Sequence, residues 1–139
     1  MAQLSKQSHI LSLLSVGLLA WLVPGAGHFA LNEKKRAAII FAAIVLTFCA
    51  GLYVGSIGVI DPVNAKPWYV AQIMNSPAVA ALSHLARTGN YPVYGRPNEI
   101  GQIYTGITGL LNLLCIVNAV YMAHLRRIRI KPAFGRAGD

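Results

Sequence analysis

The sequence is short of charge. Of its 139 residues only 12% are charged, about half the share of an ordinary soluble domain. Acid is scarcest, with four Asp and Glu against 12 Lys and Arg and a formal net charge of +8. A globule of this length is mostly surface, and this chain has too few charges to coat one. Hydrophobic residues make up 55% and the mean hydropathy is +0.54, which excludes a disordered chain and argues against a soluble single domain. Cysteine is nearly absent. Cys49 and Cys115 sit inside apolar runs with no CxxC or Cys/His metal spacing, and read as small buried hydrophobes. No GxSxG, HExxH, Walker or GxGxxG motif occurs, and no internal repeat is evident in the sequence.

The chain does have long apolar runs with basic residues placed beside them. Residues 37–60 are uncharged, about 36 Å as a helix, enough to cross a bilayer core of about 30 Å. Residues 100–125 are uncharged too, and Arg126 stops them. Lys34, Lys35 and Arg36 form one basic cluster, and Arg126, Arg127, Arg129, Lys131 and Arg136 form another, together eight of the 12 basic residues. Both abut the same side of the two long runs, which the positive-inside rule assigns to the cytoplasm.

A first apolar run, 10–23, reaches about 17 residues when extended back to Gln7, the lower limit for a crossing. The expectation is a short spanning helix, giving an N-out, C-in protein. A re-entrant hairpin that leaves the N-terminus inside is the alternative. A secretory signal peptide fits poorly, because Lys34-Lys35-Arg36 just beyond it disfavours cleavage and export. The predicted fold is a single all-α membrane domain over 1–139. Its three transmembrane helices cover about 7–23, 37–60 and 100–125, the first ending at a Pro-Gly turn, followed by a basic cytoplasmic tail, 126–139.

Residues 61–99 form the predicted outer loop. It holds Pro62, Pro67, Pro77, Pro92 and Pro97, five of the seven prolines, and its length predicts partial order. Ser76-Pro77 reads as a helix start and Gly89 as its stop. Val79, Leu82, Leu85 and Ala86 recur at helical spacing, with Ser83, His84 and Arg87 on other faces. This predicts a short amphipathic helix lying on the outer membrane surface or on partner protein. Trp68, Tyr69, Tyr91 and Tyr94 suit an interfacial aromatic belt.

Within the spans, Ala43, Thr47, Gly51 and Gly55 recur every four residues, and so do Gly101, Thr105 and Gly109. Small residues let membrane helices approach closely, and the two glycine-rich parts match in depth, so the second and third spans are expected to pack there. The rival reading turns one stripe toward another subunit. Asn112, with Thr108 one turn earlier, is expected to make an interhelical hydrogen bond. No Asp, Glu, Lys or Arg lies in either long run, which argues against a proton relay or voltage sensor. His28 and His124 both fall near the cytoplasmic interface and could approach each other, while His9 falls near the outer terminus. They lack ligand-spaced companions, so structural hydrogen bonding is expected rather than haem or metal. Asp61 and Glu99 bracket the outer loop and read as span boundaries rather than catalytic acids.

The segment Leu22-Val23-Pro24-Gly25-Ala26-Gly27-His28-Phe29, followed by Leu31 and Lys34-Lys35-Arg36, resembles the junction of small bacterial TM2-like proteins. There a Pro-Gly-x-Gly-His-Phe-type turn and a basic patch join two membrane helices. Ala30 and Asn32 stand where that family usually carries Tyr and Gly. Glu99-Ile100-Gly101 and 109–114 resemble an uncharacterised family of small bacterial multi-pass proteins. Both resemblances imply a bacterial inner-membrane protein and supply no reaction. The expected function is a non-enzymatic accessory or scaffold subunit of a larger membrane complex. Its expected partners are other integral membrane subunits, with anionic lipids at Lys34, Lys35, Arg36, Arg126, Arg127, Arg129 and Lys131, and no nucleic acid. No cofactor is expected. A lipid-, quinone- or pigment-binding module is the alternative.

Overall fold

In the computed structural model the described residues are 2–89, 91 and 95–130, without the side chains of 2–6, 127 and 130. Pro92, Tyr94, Lys131, Arg136 and the side chain of Arg127 fall outside the description. The described residues form six helices and no strand: α1 (Ala2–Leu22), α2 (Ala26–Ala30), α3 (Lys34–Gly55), α4 (Lys66–Ile73), α5 (Ala78–Thr88) and α6 (Arg96–Ile130), with a 3-10 turn at Ile57–Val59. Two of them are long and apolar enough to cross a membrane, Lys34–Gly55 and Arg96–Arg126, and only 22% and 33% of their apolar windows are buried. The core helix of a soluble protein would be covered on most sides.

The helices α3 and α6 are antiparallel. At one end Arg126 pairs with Glu33 at 2.7 Å and Arg36 reaches the Met122 sulfur. At the other, a Cβ on Gly55 would meet the Pro97 carbonyl at 2.9 Å and the Gly101 Cα at 3.0 Å. These are called here the Glu33 end and the Pro97 end. The seam between the helices is glycine-built: a Cβ on Gly51 would sit 2.8 Å from the Thr105 methyl, and one on Gly101 2.9 Å from the Gly51 carbonyl. The four-residue stripe does not stay on that seam. Each step of four advances about 40° beyond a full turn, so the stripe drifts out of the contact. Ala43 is exposed, and Thr47 bonds its own helix at the Ala43 carbonyl. The face that α3 buries is Ala37, Ile44, Gly51 and Gly55, spaced by sevens and a four, which keeps one side inward.

The helix α1 runs the opposite way from the expected one. His9 meets His124, with ring nitrogens 3.2 Å apart, and Gly17 packs on Val120. At the far end of α1 the Ala20 carbonyl lies at Asn112. So α1 starts at the Glu33 end, stops about half-way along α6, and turns back. Gly25 makes the turn with φ +84, where a side chain would also strike the Ala37 carbonyl. Gly27 then passes between Ala20, Val16 and Ala119. The start of α1 thus lies at the same end of the bundle as Lys34, Lys35 and Arg36, whereas the expected crossing would put it at the opposite end. The Pro-Gly break reverses the chain inside the bundle rather than at its edge.

The predicted outer loop is folded into the bundle as well. The segment at 66–73, within the predicted outer loop, forms α4 and descends beside α6. Trp68 covers Gly106, and Gly109 receives the backbone of Ala71 so closely that any side chain there would collide with its carbonyl oxygen. The chain turns at 74–77 and returns as α5, which ends at Gly89. The buried face of α5 is Val79, Ser83 and Ala86. Leu85 is exposed and Ser83 is inside, bonded to the Ala80 carbonyl and near the Tyr69 hydroxyl. Val59, Ile60 and Val79 form a small apolar core with Phe48, Leu52, Tyr69 and Leu82.

Gly109→Leu is therefore expected to lower stability by about 1–3 kcal/mol or more, while Ala43→Leu on the exposed face of α3 is expected to be neutral. Thermal unfolding of the two variants in the same detergent checks the contrast.

Candidate functional site

The two hairpins meet tip to tip, and the residues at their junction are the candidate site. Both tips are helix C-termini, whose last carbonyls have no partner within their own helix. Three side chains supply donors. The Asn112 amide nitrogen, from the middle of α6, donates to the carbonyls of Asn75 at 2.8 Å, Met74 at 3.1 Å and Ala20 at 3.4 Å. The Trp21 indole donates to the Ile73 carbonyl at 3.0 Å, and the Ser76 hydroxyl to the Leu22 carbonyl at 3.1 Å. Each hairpin thus caps the other, and α6 caps both. The Ala78 backbone N–H donates to Ser76 in turn, which starts α5.

A second polar layer lies one to two turns toward the Pro97 end. The Gln72 amide nitrogen donates to the Thr105 hydroxyl at 2.8 Å and the Val59 carbonyl at 3.1 Å. Thr105 donates to its own Gly101 carbonyl, and Thr108 to that of Thr105. Gln72, Thr105, Thr108 and Asn112 are fully buried and Asn75 nearly so. Among the described residues no donor reaches Asn112 Oδ1, Asn75 Oδ1 or Gln72 Oε1. The junction is built from neutral amides and hydroxyls, and its unmatched groups are all acceptors.

Of the residues singled out in the sequence, Asn112 and Thr108 are in or beside this junction. Gly109 admits the α4 hairpin to it, and Gly51, Gly55, Gly101 and Thr105 form the α3–α6 seam. Pro24, Gly25, Gly27 and His28 are buried in the first turn, whereas Phe29 is exposed. Lys34, Lys35, Arg36, Arg126 and Arg129 are all exposed at the Glu33 end. His28 and His124 are not brought together in any described contact; His9 is the partner of His124. Gln72, Asn75 and Trp21 carry no expectation from the sequence, and Ser76-Pro77 is read there only as a helix start. The polar residues Asn75 and Ser76 between apolar stretches were the available signal.

Two further features flank the bundle. An apolar groove of about 520 Å³ runs between α1 and α6, lined by Ile10, Leu13, Leu14, Gly17, Trp21 and Val120. A polar cleft of about 630 Å³ at the Pro97 end is lined by Asp61, Asn64, Trp68, Asn98, Glu99 and Gln102. Burial alone would raise the Asp61 carboxyl. Hydrogen bonds from the Asn64 side chain and the Val63 and Asn64 backbone, with Arg87 nearby, outweigh it and hold Asp61 below its ordinary value. Cys49 is exposed and both cysteines are free. No group of three or more His, Cys, Asp or Glu that could hold a metal occurs among the described residues.

The chain belongs to a family of unknown function, DUF6677, whose model matches residues 15–130. That match covers the end of α1 from residue 15 and all of α2 to α6. No curated protein and no solved structure matches it.

Asn112→Leu leaves the carbonyls of both tips without their shared donor and is expected to cost about 1–3 kcal/mol, read as a lower unfolding midpoint. His28, outside α3 and α6, is held below its ordinary value of 6.5 by burial first and then by Arg36, with Glu33 partly opposing. The unfolded chain therefore takes up this proton before the folded one does. Stability is expected to be full above about pH 7 and to fall as the pH drops through 6.5 toward the folded value. Melting curves across that range, compared with His28→Gln, check it; the variant should lose this part of the slope.

Proposed function

We propose that this chain is a multi-pass protein of the bacterial inner membrane, with α3 and α6 spanning and both ends of the described chain at the cytoplasmic face. In it, α1–α2 dips in from the cytoplasm and α4–α5 from outside. The shared position of Lys34, Lys35, Arg36, Arg126 and Arg129 supports the sidedness, and the resemblance of the first turn to TM2-like junctions supports the bacterial assignment. The function is that of a non-enzymatic accessory or scaffold subunit, which packs against other integral membrane subunits.

The observation that carries this reading is the division of α3. Its inward face is spent on glycine contacts with α6, while its outward face offers Ile39, Leu46 and Tyr53, which are 69%, 70% and 92% exposed. A helix sealed so tightly on one side and so open and apolar on the other fits lipid and neighbouring helices rather than a substrate. The groove between α1 and α6 favours a second reading, a module that seats a lipid tail.

Reporter fusions at both termini test the sidedness, with cytoplasmic signals expected from each; a periplasmic N-terminus would overturn it. Purification in mild detergent followed by native mass spectrometry tests the function. A stoichiometric membrane partner is expected. A bare monomer would sink the scaffold reading, and a monomer that retains phospholipid would favour the second.

A further inference from the structure

The two halves of the chain repeat one plan in opposite directions. In the first, a hairpin (α1–α2) stops half-way and a long helix (α3) follows; in the second, a hairpin (α4–α5) stops half-way and a long helix (α6) follows. The first hairpin enters from the Glu33 end and the second from the Pro97 end, and they touch through Trp21, Ile73, Leu22 and Ser76. Nothing in the sequence repeats, so the correspondence lies in the folding plan alone.

This arrangement concentrates negative potential at one point. The C-termini of α1 and α4 converge there, and each carries a partial negative charge of about half an electron at most. Five backbone carbonyls, from Ala20, Leu22, Ile73, Met74 and Asn75, line the contact. Each accepts one of these side-chain hydrogen bonds, and a carbonyl oxygen has two lone pairs. Independently, the side-chain oxygens of Asn112 and Asn75 are buried with no donor among the described residues, at 0% and 6% exposure for the two residues. The Asn112 amide cannot simply be turned round, because its nitrogen already faces three carbonyls. Gln72 Oε1 adds a third unmatched oxygen toward the Pro97 end. Neutral oxygens and helix C-termini at mid-depth are the chemistry that coordinates a small cation where helices break inside a membrane.

We infer that the junction of the two hairpin tips is a binding site for a small monovalent cation, held by the side-chain oxygens of Asn112 and Asn75 and by the surrounding carbonyls. With no carboxylate contributed by the residues named, a single charge is the most that the site can balance. The inference rests on the membrane reading only for its depth; it does not depend on a partner or on sidedness.

The test uses the full chain in lipid nanodiscs, melted in sodium, potassium or ammonium chloride, with N-methylglucamine chloride at equal ionic strength as the reference. A saturable rise of a few degrees is expected with at least one of the three ions. Asn75→Leu keeps the backbone carbonyl that Asn112 uses and removes one oxygen. It should abolish the rise while melting no lower than wild type in N-methylglucamine. Sodium-23 or nitrogen-15 ammonium line broadening by wild type, lost in the variant, gives a second readout. Equal melting in all four salts, or an equal rise in Asn75→Leu, would overturn the site. Either result would leave the scaffold reading standing, since that is judged by what co-purifies.

Discussion

The fold depends on how helix ends are satisfied away from water. A helix that stops inside a bundle leaves its last carbonyls without intrahelical partners, and in hydrocarbon each unmet group costs several kcal/mol. This chain stops two helices inside its bundle, α1 at Leu22 and α4 at Ile73. It meets the debt with one amide, one indole and one hydroxyl. Because Asn112 bonds Ala20 on one hairpin and Met74 and Asn75 on the other, neither tip is complete without α6. Because Trp21 and Ser76 bond across the gap, neither hairpin is complete without the other. The apolar contacts close the bundle; these donors set where the hairpins stop.

Close backbone approach makes that capping reachable. An amide reaches only a few ångströms from its helix, so the tips must lie almost against α6. Gly109 lets the Ala71 backbone in, Gly106 accepts the Trp68 ring, and Gly27 lets α2 fold between α1 and α6. The glycines of α6 therefore serve two seams. Gly101 faces α3, and Gly106 and Gly109 face α4, a division that follows from the turn of a helix rather than from any single four-residue repeat.

The sequence made the long elements legible and hid the short ones. Uncharged runs and flanking bases mark α3 and α6 directly, because length and charge are one-dimensional properties. The glycine seam was readable at Gly51, Gly55 and Gly101, where the depth of the two spans could be matched. Ala43 is exposed and Thr47 bonds its own helix, because helical drift carries a four-residue stripe away from the seam. The direction of α1 was not readable from length. A run of about 16 apolar residues fits a thin span or a deep hairpin, and contacts with His124, Val120 and Asn112 give its direction along α6. Residues 66–73 were obscured by Pro67 and by their modest hydrophobicity, although a proline in the first turn is compatible with a helix. Gln72 and Asn75 looked like loop residues because polarity in a linker ordinarily signals solvent. Here it signals a backbone that must be matched inside.

The choice of an amide at 112 has a physical logic of its own. A carboxylate there would set negative charge against two helix C-termini, which repel it. A leucine would leave the carbonyls unmet. The carboxamide alone offers a two-hydrogen donor without net charge, and it necessarily brings an oxygen with it. Its nitrogen is fixed by three carbonyls, so that oxygen is left as an acceptor in a region already rich in them. The residue that solves the capping problem therefore creates the local excess of oxygen, and the same geometry that stabilises the hairpins prepares the place where positive charge would be welcome.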